Sequence, residues 1–322
     1  MFSDLKERKL IKQITNESKI KDLLDNNKIK FYIGFDPTAD SLHVGHLIQL
    51  ITIKRLAKKG HIPIILLGGA TASIGDPTDK CDMRKNLSDT DISIFKENIG
   101  FQIANIINCK HEIRNNLTSF DGMKYLSFIK DIGIHFTINN MLQAECFKSR
   151  IKQDLTFLEM NYMLMQAFDF YQLRKQDNCI LQIGGDDQWS NILAGIDLIY
   201  KKDKTEVFGM TLPLLISSNG TKMGKTEVGT IWLDSKKTSA FDFYQFWINL
   251  PDSDIINCFK QLTFLSIDQI MALKFDTRKN IINNKKLLAF QMTALIHGIN
   301  KANEIASLDK VAKYENLDMY EV

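Results

Sequence analysis

Phe31-Tyr32-Ile33-Gly34-Phe35-Asp36-Pro37-Thr38 runs on into Ala39-Asp40-Ser41-Leu42-His43-Val44-Gly45-His46, and this stretch decides the fold. The segment at 30–35 is apolar apart from Lys30 and one glycine, which is how a buried strand reads. Asp36-Pro37-Thr38 supplies a turn. A helix is expected from near His43, with Leu47, Leu50, Ile51 and Ile53 ahead of a stop at Gly60. A second apolar strand, Ile62 to Leu67, then runs into Gly68-Gly69-Ala70-Thr71. Strand, helix and strand in such close order specify a right-handed βαβ unit and a parallel sheet.

The same logic extends outward. Residues 4–28 read as one or two polar helices, with Ile20, Leu23 and Leu24 at helical spacing. Residues 85–150 look mostly helical and interrupt the strand pattern as an insertion does. A strong helix is expected over about 154–175, a strand over Cys179 to Ile183, and the turn Gly184-Gly185-Asp186-Asp187. A helix resumes near Ser190 and a strand covers roughly Val207 to Ile216; beyond 235 the signals are helical. The expected architecture is α/β: a doubly wound, Rossmann-like parallel sheet with a helical insertion, followed by a smaller all-helical domain. Its divisions are a catalytic domain over 1–220, a mobile lysine-bearing loop over 221–234 and a helical domain over 235–322.

Composition narrows the class. Apolar residues make up 44% of the chain and charged residues 25%, ordinary for a globular protein. A net charge of +3 is too small for a protein that holds nucleic acid by charge alone, so RNA contact would need local patches. Lys54-Arg55 with Lys58-Lys59, and Lys201-Lys202 with Lys204, are the candidates, although solvated helix and loop faces are the favoured reading of any one such cluster. Cys81, Cys109, Cys146, Cys179 and Cys258 are odd in number and form no Cys-x-x-Cys pair, so neither zinc nor a disulfide framework is signalled. No apolar run approaches membrane-spanning length and the first thirty residues lack a signal-peptide core. A cytoplasmic location without membrane contact is expected.

In a doubly wound sheet, ligands bind at the carboxyl ends of strands. Three such ends here carry polar sets: Gly34, Asp36 and Thr38; Gly68, Gly69 and Asp76; and Gly184, Gly185, Asp187 and Gln188. A loop, Lys222-Met223-Gly224-Lys225-Thr226, adds two lysines suited to a phosphate chain. His43 and His46 stand three apart; in isolation they fit a metal pair or a capping histidine beside a packed one. Set after a strand and a threonine-bearing turn, they suit donors aimed at developing negative charge. Tyr162, Gln166 and Asp169 follow i, i+4, i+7 spacing in an otherwise apolar helix, either a surface stripe or the wall of a polar pocket.

With these residues quoted, the chain resembles the bacterial-type tyrosyl-tRNA synthetases, class I aminoacyl-tRNA synthetases. The likeness is dense in 34–46, in Gly68-Gly69-Ala70-Thr71, in Leu181-Gln182-Ile183-Gly184-Gly185, in Asp187-Gln188-Trp189 and in 220–226. It continues through Thr230-Ile231-Trp232-Leu233-Asp234 and Phe243-Tyr244-Gln245-Phe246-Trp247-Ile248-Asn249, and is weakest over 80–150. The resemblance implies that Tyr32 and Asp169 bind a tyrosine phenol, with Asp36 also in the tyrosine site. Asp76, Tyr162 and Gln166 would hold the ammonium, and Gln188 would lie by the carboxylate. Asp187, Gly34 and Gly185 would lie by the ribose of ATP, with Gly45 also in the ATP site. Thr38, His43 and His46 would contact its phosphates, and Lys222, Lys225 and Thr226 would close over pyrophosphate. Lys80 and Arg84 match mobile basic positions. ATP as substrate, Mg²⁺ accompanying it, tRNA(Tyr) and a homodimer built largely through the insertion are implied too, with no protein-bound metal.

Three departures from the pattern tune the nucleotide site: Ile33 where relatives often have cysteine, Asp186 where serine is frequent, and the variable Gln49. Relatives usually continue into a small basic RNA-binding domain, which this sequence is expected to lack after Tyr314-Glu315-Asn316-Leu317-Asp318. A tryptophanyl-tRNA synthetase is the nearest alternative, but an indole N–H only donates and has no use for the Tyr32 hydroxyl. An RNA-binding relative without chemistry would be expected to have lost His43, His46, Asp76 or Lys225. A small-molecule nucleotidylyltransferase would leave the Lys222 loop and the helical tail unexplained.

Overall fold

The computed structural model describes residues 1–77, 87–148, 155–226 and 229–308, and they fall into two compact units. Of the described residues, those within 1–2, 11–40 and 53–213 form the first, and those within 3–10, 41–52 and 214–308 the second. Among the described residues no helix is long and apolar enough to cross a membrane.

The first unit is built on a five-stranded sheet: β1 (Lys30–Phe35), β2 (Ile62–Leu67), β3 (Glu112–Asn115), β4 (Leu181–Gly185) and β5 (Phe208–Leu212), in the order β3-β2-β1-β4-β5. Every neighbouring pair is parallel, with Tyr32 opposite Ile64 on one side and Gln182 on the other. Strand order therefore reverses at β1 and β4, where a doubly wound sheet opens its ligand crevice. β2 and β4 are almost wholly buried; β2 accordingly reads as an uninterrupted apolar run, while β4 buries one polar side chain, Gln182. β5 is shorter than its sequence suggested because Pro213 follows at once and has no N–H to give the ladder. β3 lies inside the stretch expected to be helical.

Residues 11–15 lie antiparallel along the outer edge of β5. The Lys12 N–H donates to Thr211 O (2.8 Å), the Thr211 N–H to Gln13 O (2.8 Å) and the Thr15 N–H to Gly209 O (3.1 Å). An edge that would otherwise offer unpaired backbone groups is thereby covered.

Two helices carry the site residues of this unit. The first, α1 (Phe157–Asp177), starts with a reciprocal cap, since Thr156 Oγ1 accepts from the Glu159 N–H (3.2 Å) while Glu159 Oε2 accepts from the Thr156 N–H (2.7 Å). It ends at Asn178, which takes the left-handed conformation (φ 57°) that asparagine tolerates. The second, α2 (Trp189–Asp203), leaves the β4 turn. A core of Tyr32, Ile64, Leu66, Phe170, Leu173, Cys179, Ile199 and Val207 joins α1 and α2 to the sheet. Burial pushes the Cys179 thiol upward, as expected of an inert core cysteine.

The second unit is mainly helical. α3 (Ala240–Ile248) buries Phe243, Tyr244 and Trp247, and α5 (Arg278–His297) packs against it, after α4 (Ile255–Leu262). Arg8, 3% exposed, donates from its guanidinium to Lys260 O (3.1 Å) and Leu265 O (2.6 Å), serving carbonyls at and beyond the end of α4.

Candidate active site

The first unit gathers a polar nest at the ends of β1, β2 and β4. Asp36 is its hub: Thr71 Oγ1 donates to Asp36 Oδ1 (2.6 Å) and Tyr162 Oη to Asp36 Oδ2 (2.7 Å). Such an approach requires glycine at 68, because a Cβ there would lie 1.8 Å from Asp36 Oδ1. Asn116 ties the hub to α1. Its Nδ2 donates to Thr71 Oγ1 and to Asp169 Oδ2, both at 3.0 Å, and its Oδ1 accepts from the Ala70 N–H at 2.8 Å. Gln188 Nε2 donates to Asp76 Oδ2 (2.6 Å), and Gln188 Oε1 accepts from Asn191 Nδ2 (3.2 Å).

The stripe on α1 thus faces inward: Tyr162 and Asp169 are buried and Gln166 half-buried. Among the buried atoms of this nest without a protein partner are Tyr32 Oη and Asp169 Oδ1. Both side chains are buried, and the Asp169 charge acts on the Tyr32 hydroxyl. Burial, and then the Asp36 charge, push the Asp169 carboxyl well above its usual range, against the pull of the Asn116 hydrogen bond. Burial also raises the Tyr32 phenol, so it stays protonated and able to donate. A buried hydroxyl and a buried carboxylate oxygen are costly to leave unmade, and a ligand hydroxyl satisfies both at once.

Asp186 is also accounted for here. Its Oδ1 accepts from Gln13 Nε2 (2.8 Å) and Thr211 Oγ1 (3.0 Å), so the extra charge at the β4 turn is tied to the N-terminal segment and to β5. Asp187 is half-buried beside it, Gly185 is buried, and Gly34 and Thr38 are exposed.

The second unit holds the histidines and the lysine loop. His43 caps a short 3₁₀ turn, Val44–His46. Its Nδ1 accepts from the Gly45 N–H (3.0 Å), and His46 Nδ1 accepts from the His43 N–H (3.2 Å). With Nδ1 accepting, the His43 ring proton sits on Nε2, whereas His46 Nδ1 lies within reach of both the His43 N–H and, at 3.3 Å, the His43 carbonyl oxygen, so the His46 tautomer follows whichever of the two it engages. Burial, reinforced by His43, lowers the His46 pKa well below its usual value, so that ring is neutral at physiological pH.

The two signatures are one piece of backbone structure. The Val44 N–H donates to Ile231 O (3.0 Å), the Ile231 N–H to Gly224 O (2.8 Å) and the Leu233 N–H to Leu42 O (2.8 Å). His43 pairs with Trp232 across this seam and packs edge-on against its ring. Gly224 has φ +89°, and a Cβ there would lie 2.9 Å from Val44 Cβ. Behind it, Met223 is buried against Cys258, whose thiol burial raises to about 12, and Asp254 accepts from Ser217 Oγ (2.6 Å) and the Ser218 N–H (3.0 Å). Lys222 is exposed, and the backbone of Lys225 and Thr226 pairs with Gly229 and Thr230. Lys80 and Arg84 lie outside the described residues.

Gly224→Ala is therefore expected to lower stability by about 1–3 kcal/mol through strain at a left-handed position. It should also slow any reaction that needs the histidines while leaving binding at the Tyr32/Asp169 nest unchanged. A thermal melt and parallel binding and turnover assays check this; an unshifted melt would contradict it.

A family model described as tRNA synthetases class I (W and Y) matches residues 24–308. The chain belongs to that family. Among its relatives, the tyrosine–tRNA ligase of Clostridium botulinum (strain Hall) is 49% identical, with 94% of this chain and 75% of that protein covered. The tyrosine–tRNA ligase of Acetivibrio thermocellus is 48% identical, with 100% and 81% covered. In structure, the chain is similar to a C-terminally truncated mitochondrial tyrosyl-tRNA synthetase of Aspergillus nidulans, with TM-score 0.86 and 27% identity over 96% of this chain and 93% of that one.

For a class I synthetase the basic patches are modest. Lys54 and Arg55 are 4% and 8% exposed, so that half of the first cluster is not a surface patch at all. Lys201 pairs with Asp197 and Lys202 with Asp131, which leaves little charge uncommitted in the second. Thr71, Asn116 and Asn191 went unrecognised in the sequence: each is an ordinary small polar residue whose partners lie far away along the chain.

Proposed function

We propose that the chain activates L-tyrosine with ATP, giving tyrosyl-adenylate and pyrophosphate, and passes the tyrosyl group to tRNA(Tyr). One observation carries the amino-acid choice: Tyr32 Oη and Asp169 Oδ1 are buried and without protein partners, and the Asp169 charge acts on the Tyr32 hydroxyl. A phenol O–H donates to the carboxylate oxygen and accepts from the Tyr32 hydroxyl. Phenylalanine offers neither bond, and an indole N–H offers only the first. Asp36, Asp76, Tyr162 and Gln166 form the acidic and polar wall for the ammonium, and Gln188 faces the carboxylate.

The chemistry is in-line displacement at the α-phosphorus of ATP by the tyrosine carboxylate, with pyrophosphate leaving. No protein nucleophile is needed. The histidine rings, Thr38, Lys222, Lys225 and Thr226 would stabilise charge on the phosphates, while Gly34, Gly45, Gly185 and Asp187 would shape the nucleotide site, with Lys80 and Arg84 as further cations. Mg²⁺ would arrive with ATP as part of the substrate complex, held chiefly by phosphate oxygens. Catalysis is then positioning plus electrostatic stabilisation. A cytoplasmic enzyme and a homodimer complete the proposal; Leu126, Ile134 and Ile138 of the insertion are 67%, 74% and 57% exposed, as an unpaired apolar interface would be.

The decisive assay is amino-acid-dependent exchange of labelled pyrophosphate into ATP, followed by charging of tRNA(Tyr). Exchange with tyrosine and none with phenylalanine or tryptophan is the expected result. Exchange with tryptophan instead, or with no amino acid in a folded, ATP-binding protein, would overturn the proposal.

A further inference from the structure

Asn191 has no part in the function set out above, and its setting is unusual. It sits in the first turn of α2 with 0% exposure. Asparagine is an expensive residue to bury. The cost is visible: Asn191 Oδ1 is buried with no partner. Nor does the side chain cap the helix. Its Nδ2 points back three residues and donates to Gln188 Oε1 (3.2 Å).

That bond settles a choice the Gln188 carboxamide cannot make alone. A carboxamide has an accepting end and a donating end of nearly the same shape, and only its neighbours decide which way it faces. Asn191 supplies a donor to one end and Asp76 an acceptor to the other, at 2.6 Å. The two partners lie at opposite ends of the amide and agree on one orientation, in which Oε1 faces α2 and the N–H₂ faces Asp76. A group meant to read a carboxylate has to present N–H, since presenting the oxygen would repel the ligand.

We infer that Asn191 is a positioning residue: it locks the Gln188 amide in its donor-forward orientation and so sets recognition of the amino-acid carboxylate. This rests on the assignment of Gln188 to that carboxylate in the proposed function. A buried asparagine kept only for the fold would not leave its own oxygen unpaired. An apolar residue of similar volume would satisfy the packing better.

The test compares two ligands that share the phenol and ammonium and differ at the carboxylate, L-tyrosine and L-tyrosinol. Equilibrium binding of both is measured on the full chain and on Asn191→Leu, Gln188→Ala and the double variant, with a thermal melt of each. Asn191→Leu is expected to weaken L-tyrosine about tenfold and L-tyrosinol less than twofold, with an unchanged or raised melting temperature. In the Gln188→Ala background it should add nothing, because the group it orients is gone. Asn191→Ala serves as the second variant should leucine crowd the turn, with the same split expected. If Gln188→Ala separates the two ligands and neither Asn191 variant does, the positioning role is overturned and the subsite assignment stands. If Gln188→Ala weakens both ligands alike, the assignment of Gln188 fails and the inference falls with it.

Discussion

Asp169→Asn is expected to abolish useful tyrosine activation while making the protein harder to unfold. Asp169 Oδ2 is held by Asn116 Nδ2, a bond that an amide oxygen accepts equally well. The loss falls on Oδ1, the atom without a protein partner, which becomes a donor where the substrate phenol also has to donate. Removing a hydrogen bond to a charged group and leaving two donors opposed should cost at least about 3 kcal/mol, a hundredfold or more in kcat/KM for tyrosine. Stability moves the other way. The folded-state pKa of Asp169 is raised by burial, so the folded protein binds a proton over a range where the unfolded chain does not. Stability is therefore lost as pH rises from the ordinary carboxylate pKa through the folded one. The amide variant escapes that loss: its melting temperature should match the parent's near pH 4 and exceed it by several degrees at pH 8. A melting difference of the same size at both values would contradict the buried-carboxylate account.

His46→Ala is the second large effect. Its ring is held beside that of His43 by a reciprocal cap in which each Nδ1 meets a backbone N–H, with ring centroids 4.1 Å apart. Donors preorganised for transition-state charge are worth about 10²–10³ in rate each, so tyrosine-dependent pyrophosphate exchange should fall by that factor. Tyrosine affinity should change less than about twofold, since uniform binding at the Tyr32/Asp169 nest is untouched. His46→Gln keeps an N–H donor and should recover part of the rate. Because the pKa of His46 lies well below the usual histidine value, its protonation should leave the exchange rate flat from about pH 6.5 to 8.5 and depress it only on further acidification. A midpoint near 6.5 that disappears in His46→Gln would show that the ring is not held neutral by its surroundings.

Much of this was legible in the sequence because burial on both faces writes a strand as a plain apolar run. Lys30–Phe35 and Ile62–Leu67 were delimited to the residue. The polar stripe of Tyr162, Gln166 and Asp169 stood out since nothing else in that helix explains it. Glu112–Asn115 did not: it is four residues long, polar, and pairs only with β2 at the sheet edge, so no run or alternation marks it. Asn116 and Asn191 were invisible for another reason, since their value lies in which atoms they face. Both signatures were recognised, yet their seam was not, because backbone pairing between residues 42–44 and 224–233 leaves no trace in side-chain pattern. Gly224 is the exception: its φ of +89° and its contact with Val44 give a physical reason for glycine inside the lysine loop.

The N-terminal arm sets a timetable for the making of this protein. The backbone of residues 12–15 pairs with 209–211, and Arg8 finds its carbonyls between 260 and 265. The start of this sequence thus waits for partners far along it, 257 residues later for the Arg8–Leu265 bond. At about 5–20 residues per second, the ribosome leaves that arm waiting for roughly 10–50 s. Until then the arm carries buried-type residues, Leu5 and Leu10, in water. Closing so long a loop is also slow in itself. The nascent chain is accordingly exposed to aggregation and proteolysis until residues 208–212 and 260–265 are made, and arm docking follows them.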